Sequence, residues 1–158
     1  MEKNNIKFMN EAIRMAEDNV SSINGGPFGA IVVKNGKIVG SGVNMVTSSN
    51  DPTAHAEIVA IRNACKTLNT HELDDCEIYT SCEPCPMCLG AIYWARPKKI
   101  YYACTKDDAA DAGFDDSHIY DEMALSIKNR EIPAVQLMRE KALKVFNDWK
   151  ININKVEY

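Results

Sequence analysis

In the stretch "CEIYTSCEPCPMC", residues 76–88, the chain must pass from a β-strand through a forced turn into an α-helix. The run up to Ser81 is rich in strand-forming residues, Glu83-Pro84 obliges a turn, and Pro86 suits the first position of a helix running to about residue 95. Cys82, Cys85 and Cys88 fall at three-residue intervals across that junction. They admit three readings: a redox pair with a neighbour, a closed structural zinc knot, or part of an open catalytic metal site.

The rest of the chain narrows the choice. Its 158 residues, 46% hydrophobic and 25% charged, predict one domain (1–158) able to bury a full core without staples. Six cysteines are an even number, but a disulfide framework belongs to short secreted chains. The opening "MEKNNIKFMNEAIR" mixes charges through its apolar residues, unlike a signal peptide. No stretch approaches the roughly 20 apolar residues that span a bilayer. The expectation is a cytoplasmic chain with reduced thiols and no membrane segment. A net charge of −4 counts against a chain devoted to holding a polyanion, so a nucleic-acid partner is not expected.

Ile6, Met9, Ile13, Ala16 and Val20 recur at helical spacing and predict an opening amphipathic helix with these residues on its apolar face. "GAIVVKNGKIVGSGVN" reads as a hairpin turning at Asn35-Gly36. After Asp51-Pro52, a second helical pattern aligns Ala54, Ile58, Ile61, Cys65 and Leu68. "KKIYYAC" reads as a strand, "DAADAGFDDSHIYDE" as an acidic loop with short helix, "AVQLMR" as a last strand and "ALKVFNDWK" as a last helix. Strands alternating with helices predict an α/β layered domain whose sheet begins with an antiparallel hairpin.

Two motifs carry chemistry: "HAE" (His55 to Glu57) at one predicted helix start and "PCPMC" (Pro84 to Cys88) at another. Catalytic zinc sites use three protein ligands and keep one position open for water. His55, Cys85 and Cys88 supply such a set. The two cysteines, three apart, can share one side of a first helical turn, where the dipole and unpaired N–H groups favour thiolates. His55 and Glu57 would diverge in mid-helix but can both point past a helix tip. H-x-E followed by P-C-x-x-C is the signature of zinc deaminases, with the glutamate as general acid and base. Taken singly, His55 reads as a surface or capping residue, Glu57 as a first-turn carboxylate, and the cysteines as core or redox residues. Cys82 could still complete a closed Cys₃His site, although a strand-end cysteine more often packs. Cys65, Cys76 and Cys104 fall in apolar patterns and read as core.

Longer stretches carry a resemblance. With "GGPFGAIVVK", "TSSNDPTAHAEIVAIR", "LDDCEIYTSCEPCPMCLGAIYWARPK", "DAGFDDSHIY" and the terminal "KVEY", the sequence resembles the bacterial guanine deaminases of the cytidine-deaminase-like superfamily through nearly its whole length. The resemblance implies a three-layer α/β/α fold with a mixed five-stranded sheet, and a homodimer that exchanges C-terminal segments. It implies one Zn²⁺ per chain on His55, Cys85 and Cys88, proton transfer by Glu57, and no ligand role for Cys82. The implied reaction is hydrolysis of guanine, a free purine base, to xanthine and ammonia.

Base selection needs a stacking surface and polar groups matched to the base edge. Phe28 and Trp94 are stacking candidates, each equally suited to a core. Asn44 offers both a donor and an acceptor, or is simply a turn residue. In "GFDDS" the family pattern favours Asp116 as acceptor for guanine's N1/N2 edge, and the adjacent Asp115 is not separable from it. Tyr158 resembles the tail that closes a neighbouring subunit's site. A tRNA adenosine deaminase shares the metal motif but calls for basic residues along an RNA path, whereas Lys141, Lys144 and Lys150 here mix with Glu140, Asp148 and Glu157. A structural-zinc interaction module would use Cys82 and need no Glu57.

Overall fold

A computed structural model describes residues 2–158. Helix α1 (Glu2–Ser21) leads into strands β1 (Gly29–Lys34) and β2 (Lys37–Val43), followed by the short helix α2 (Val46–Ser49) and helix α3 (Ala56–Leu68). Strand β3 (Cys76–Cys82), helix α4 (Pro86–Ala95), strand β4 (Lys99–Cys104) and helix α5 (Lys106–Asp111) come next. These elements form the first of two compact units, Met1–Asp116. The second, Ser117–Tyr158, holds α6 (Ser117–Ala124), a 3-10 turn (Ile127–Asn129) and α7 (Arg139–Ile151). Among the described residues no helix is long and apolar enough to cross a membrane.

The hairpin forms where the Asn35-Gly36 signal places it, with both residues at positive φ. In the order β2-β1-β3-β4, β1 runs antiparallel to β2 and β3, while β3 and β4 are parallel. A parallel pair needs a crossover, and α4 supplies it. The sheet is mixed, as expected, but it has four strands among the described residues rather than five. Residues 134–138, expected to begin a last strand, are irregular, and Arg139 already opens α7. Ile132, Val135 and Leu137 are exposed there, and an extended segment with no ladder partner gains nothing by holding strand geometry.

Helices cover both faces of the sheet, giving the α/β/α layering. On one side Ala56, Ala60 and Ala64 of α3 and Ile92 and Ala95 of α4 pack with Val32 and Ile78. On the other, Phe8 and Ala12 of α1 pack with Ile31, Val33 and Tyr79. The α3 layer lies close because β2 presents Gly40 and Gly42 to it. A Cβ on either would come within 2.5 Å of the Ala60 or Ala56 carbonyl oxygen.

The face of α1 differs from the expected one. Phe8, Ala12, Ala16 and Asn19 are buried, whereas Ile6 and Val20 are 56% and 51% exposed. The alanines decide the rotation, because α1 approaches β1 so closely that a Cβ on Gly29 would lie 2.4 Å from the Ala12 carbonyl oxygen. Cys76 is buried and Cys65 packs at the core margin, but Cys104 is exposed at the end of edge strand β4 and is not a core residue. In the second unit, α6 and α7 bury no residue, and Val145, Phe146, Ile151 and Val156 are exposed.

Candidate active site

Two helix N-termini bring the chemical groups together. His55 is the N-cap of α3 and Cys85 the N-cap of α4, with Pro86 in the first turn as the sequence predicts. Both caps have extended backbone, so their side chains leave the helix axes and meet. His55 Nδ1 lies 3.5 Å from Cys85 Sγ and 3.5 Å from Cys88 Sγ. One ligand atom from each residue falls within 4.8 Å of the others.

Hydrogen bonding with the Cys88 side chain, with the His55 ring and with the Cys88 backbone N–H pulls the Cys85 thiol down to about 4. The same bond to Cys85, with burial, pushes Cys88 up. Hydrogen bonding to Cys85 also holds His55 above its ordinary value. Two adjacent sulfurs competing for one proton are a pair that a divalent cation would relieve of mutual repulsion. Soft thiolate and imidazole donors at this spacing suit zinc. The residues therefore fit the metal, and they leave no fourth protein ligand in the group.

Glu57, in the first turn of α3, is only 6% exposed, and burial raises its carboxyl above the usual range. Its Oε2 accepts from the Cys88 thiol at 3.4 Å and its Oε1 from the Thr80 hydroxyl at 3.4 Å. The sequence reading missed Thr80; a threonine inside a strand carries no local signal of a partner 23 residues upstream. Cys82 ends β3 and is not part of the group of ligand atoms; it donates to the Thr105 carbonyl at 3.4 Å. Burial pushes it up to about 11, as suits a packed thiol.

The candidate base-binding residues of the first unit are Phe28, Asn44, Trp94 and Asp116. Asn44 is buried, and its Oδ1 accepts from the backbone N–H groups of Gly26 and Val46, each at 3.3 Å. Two donors aimed at one atom settle which end of the amide is oxygen. The expectation that Asn44 offers both a donor and an acceptor is thereby corrected: its acceptor is taken, and its Nδ2 donor remains.

The Phe28 ring meets the Phe114 ring edge-to-face at 5.0 Å, a second aromatic that the sequence reading passed over within "GFDDS". Asp116 is half-buried and Asp115 exposed. Burial, then the Cys85 charge, raises the Asp116 carboxyl. Trp94 lies exposed on α4. Tyr158 belongs to the second unit and is exposed.

Residues 2–104 match the family described as the cytidine and deoxycytidylate deaminase zinc-binding region. The chain is 54% identical over 155 residues to a guanine deaminase of Bacillus subtilis (strain 168), an alignment spanning 98% of this chain and 99% of that one. An X-ray structure of guanine deaminase from Bacillus subtilis superposes with a TM-score of 0.94 at 55% identity, covering 96% of this chain and 97% of the other. A tRNA-specific adenosine deaminase of Aquifex aeolicus (strain VF5) is 47% identical over 77 residues, 49% of this chain and 51% of its own.

Proposed function

This chain belongs to the cytidine and deoxycytidylate deaminase zinc-binding family, and on that footing we propose that it hydrolyses guanine to xanthine and ammonia. The observation that carries the proposal is the convergence of His55, Cys85 and Cys88 with the buried Glu57 carboxylate against Cys88. Nearly full-length similarity to a guanine deaminase supports guanine as the substrate, whereas similarity to the tRNA-specific adenosine deaminase of Aquifex aeolicus spans about half of each chain.

His55 Nδ1, Cys85 Sγ and Cys88 Sγ would hold one zinc ion per chain. Zinc there supplies a Lewis acid that makes water a nucleophile at neutral pH. Glu57 takes a proton from the attacking water and passes it to guanine N3 as C2 becomes tetrahedral. It then takes the second proton and delivers it to the departing amine, which leaves Glu57 as it began and releases ammonia. Thr80 holds the carboxylate by one oxygen, which orients the other towards the reacting atoms. Asp116 accepts from the N1–H and N2–H edge of guanine, which adenine lacks. Asn44 Nδ2 donates to a lone pair elsewhere on the base, and Phe28 and Trp94 flank its faces.

The whole chain, 1–158, acts as one deaminase domain in a cytoplasmic homodimer, its C-terminal segment exchanged so that Tyr158 closes the partner's site. The exposed apolar side chains of the second unit support this reading, since an apolar helix face this short needs a covering surface. The deciding experiment is ammonia release measured across guanine, adenine, cytosine and their nucleosides, with a tRNA anticodon stem included. Turnover of free guanine well above every other substrate is expected. Preferential release from the RNA would overturn the assignment.

A further inference from the structure

Asn19, in the last turn of α1, is only 4% exposed and has no counterpart in the chemistry described above. Its Nδ2 donates both hydrogens, to the Gly26 carbonyl at 2.8 Å and to the Asn44 carbonyl at 3.0 Å. Those two carbonyls belong to separate segments, the loop that carries Phe28 and the end of β2. Further bonds stitch the same segments together: Asn44 N–H donates to the Phe28 carbonyl at 3.1 Å, and Gly26 N–H donates to Asn44 Oδ1 at 3.3 Å. The Phe28 N–H returns to the Gly26 carbonyl at 2.8 Å. The junction is closely packed, since a Cβ on Gly25 would sit 2.1 Å from the Asn44 carbonyl oxygen and 3.1 Å from Asn19 Nδ2.

We propose that Asn19 is a positioning residue for base recognition: its amide clamps the Gly25–Phe28 loop to the end of β2 and so holds Asn44 with its acceptor occupied and its donor facing the base. The inference rests on the roles proposed above for Asn44 and Phe28. Without the Asn19 amide, the Asn44 carbonyl loses the donor that ties it to α1, and the Gly26 carbonyl keeps only the Phe28 N–H of its own loop. The Gly26 N–H then moves off Asn44 Oδ1, the amide is free to turn, and an acceptor can face the acceptor atom of the base. Among the described residues no hydrogen bond joins Glu57 or a metal ligand to this network, so the effect falls on binding.

The test uses the full-length, zinc-loaded enzyme and reads KM and kcat for guanine with zinc content. Asn19→Asp is isosteric and sets an acceptor against two carbonyl oxygens; Gly25→Ala strains the same junction from the loop side. Each is expected to raise KM about five- to tenfold, the worth of one misplaced hydrogen bond, with kcat within about threefold of wild type. In an Asn44→Ala background, Asn19→Asp should add almost nothing, because it acts through Asn44. KM does not depend on the fraction of enzyme folded, and Gly25→Ala carries the test if Asn19→Asp cannot be produced. Wild-type KM in both variants, or a full additional loss in the Asn19→Asp/Asn44→Ala chain, overturns the inference while a raised KM in Asn44→Ala leaves the recognition role of Asn44 standing. An unchanged KM in Asn44→Ala removes that role, and this inference with it.

Discussion

Replacing Glu57 by Gln exchanges one carboxylate oxygen for an NH₂ group at a side chain that is only 6% exposed. The amide oxygen can still accept from the Thr80 hydroxyl, and the NH₂ can donate to the Cys88 sulfur instead of accepting from it. Shape and both contacts survive, so His55, Cys85 and Cys88 should keep one zinc per chain. The neutral amide also escapes the desolvation that raises the carboxyl, so the melting temperature should equal or exceed that of the wild type. What disappears is a group able to take up a proton and release it again. General acid–base steps are worth about 10²–10⁴-fold, or about 3–5 kcal/mol of barrier. In the proposed mechanism one residue handles the protons both entering the ring and leaving on the amine, so kcat for guanine should fall by about 10⁴, the top of that range. Xanthine formation followed in the ultraviolet, beside zinc by atomic absorption, makes the comparison. A zinc-replete Glu57→Gln enzyme within tenfold of wild-type kcat would refute the proton-relay argument. Loss of zinc together with activity would recast Glu57 as a support for the ligands.

Cys82→Ala should keep zinc and turnover while costing about 1 kcal/mol in chemical denaturation, for one buried thiol and its bond to the Thr105 carbonyl; zinc loss in this variant would revive the closed Cys₃His site. Asp116→Ala should cut guanine kcat/KM by at least about a hundredfold, as removal of a group that pairs with substrate N–H donors does, with little change in melting temperature. The same selective loss in Asp115→Ala, but not in Asp116→Ala, would move the assignment by one residue. Thr105→Ala removes the hydroxyl that accepts from Asp108 N–H in the capping box of α5, and should lower stability by about 1 kcal/mol without touching kcat. Deleting residues 156–158 should spare zinc and the proposed dimer but lower turnover strongly. Mixing that deletion with Glu57→Gln should restore activity in heterodimers, and proven heterodimers that stay inactive would mean each tail serves its own chain.

The parts of this protein legible in its sequence are those set by neighbours a few residues apart. Pro86 after a strand-end turn placed the start of α4, Asn35-Gly36 placed the hairpin, and the tips of α3 and α4 were recognisable from H-x-E and P-C-x-x-C. The spacing also named His55, Cys85 and Cys88 as a ligand set, and the structure brings their ligand atoms within 4.8 Å. Tertiary structure decided the rest. Hydropathy predicted Ile6, Met9, Ile13, Ala16 and Val20 as the inner face of α1, but close approach to β1 selected the alanine side and put Phe8, Ala12 and Ala16 inward. The strand pattern at residues 134–139 found no ladder partner and stayed irregular up to α7. Thr80 meets Glu57, and Asn19 meets Asn44, across 23 and 25 residues of chain. Asn44 carries a donor and an acceptor in any sequence, and only the N–H groups of Gly26 and Val46 determine which one remains. Periodicity and capping encode interactions within a turn or a strand pair, whereas the orientation of a buried amide or the rotation of a helix is set by backbone groups that the chain brings close only once it has folded.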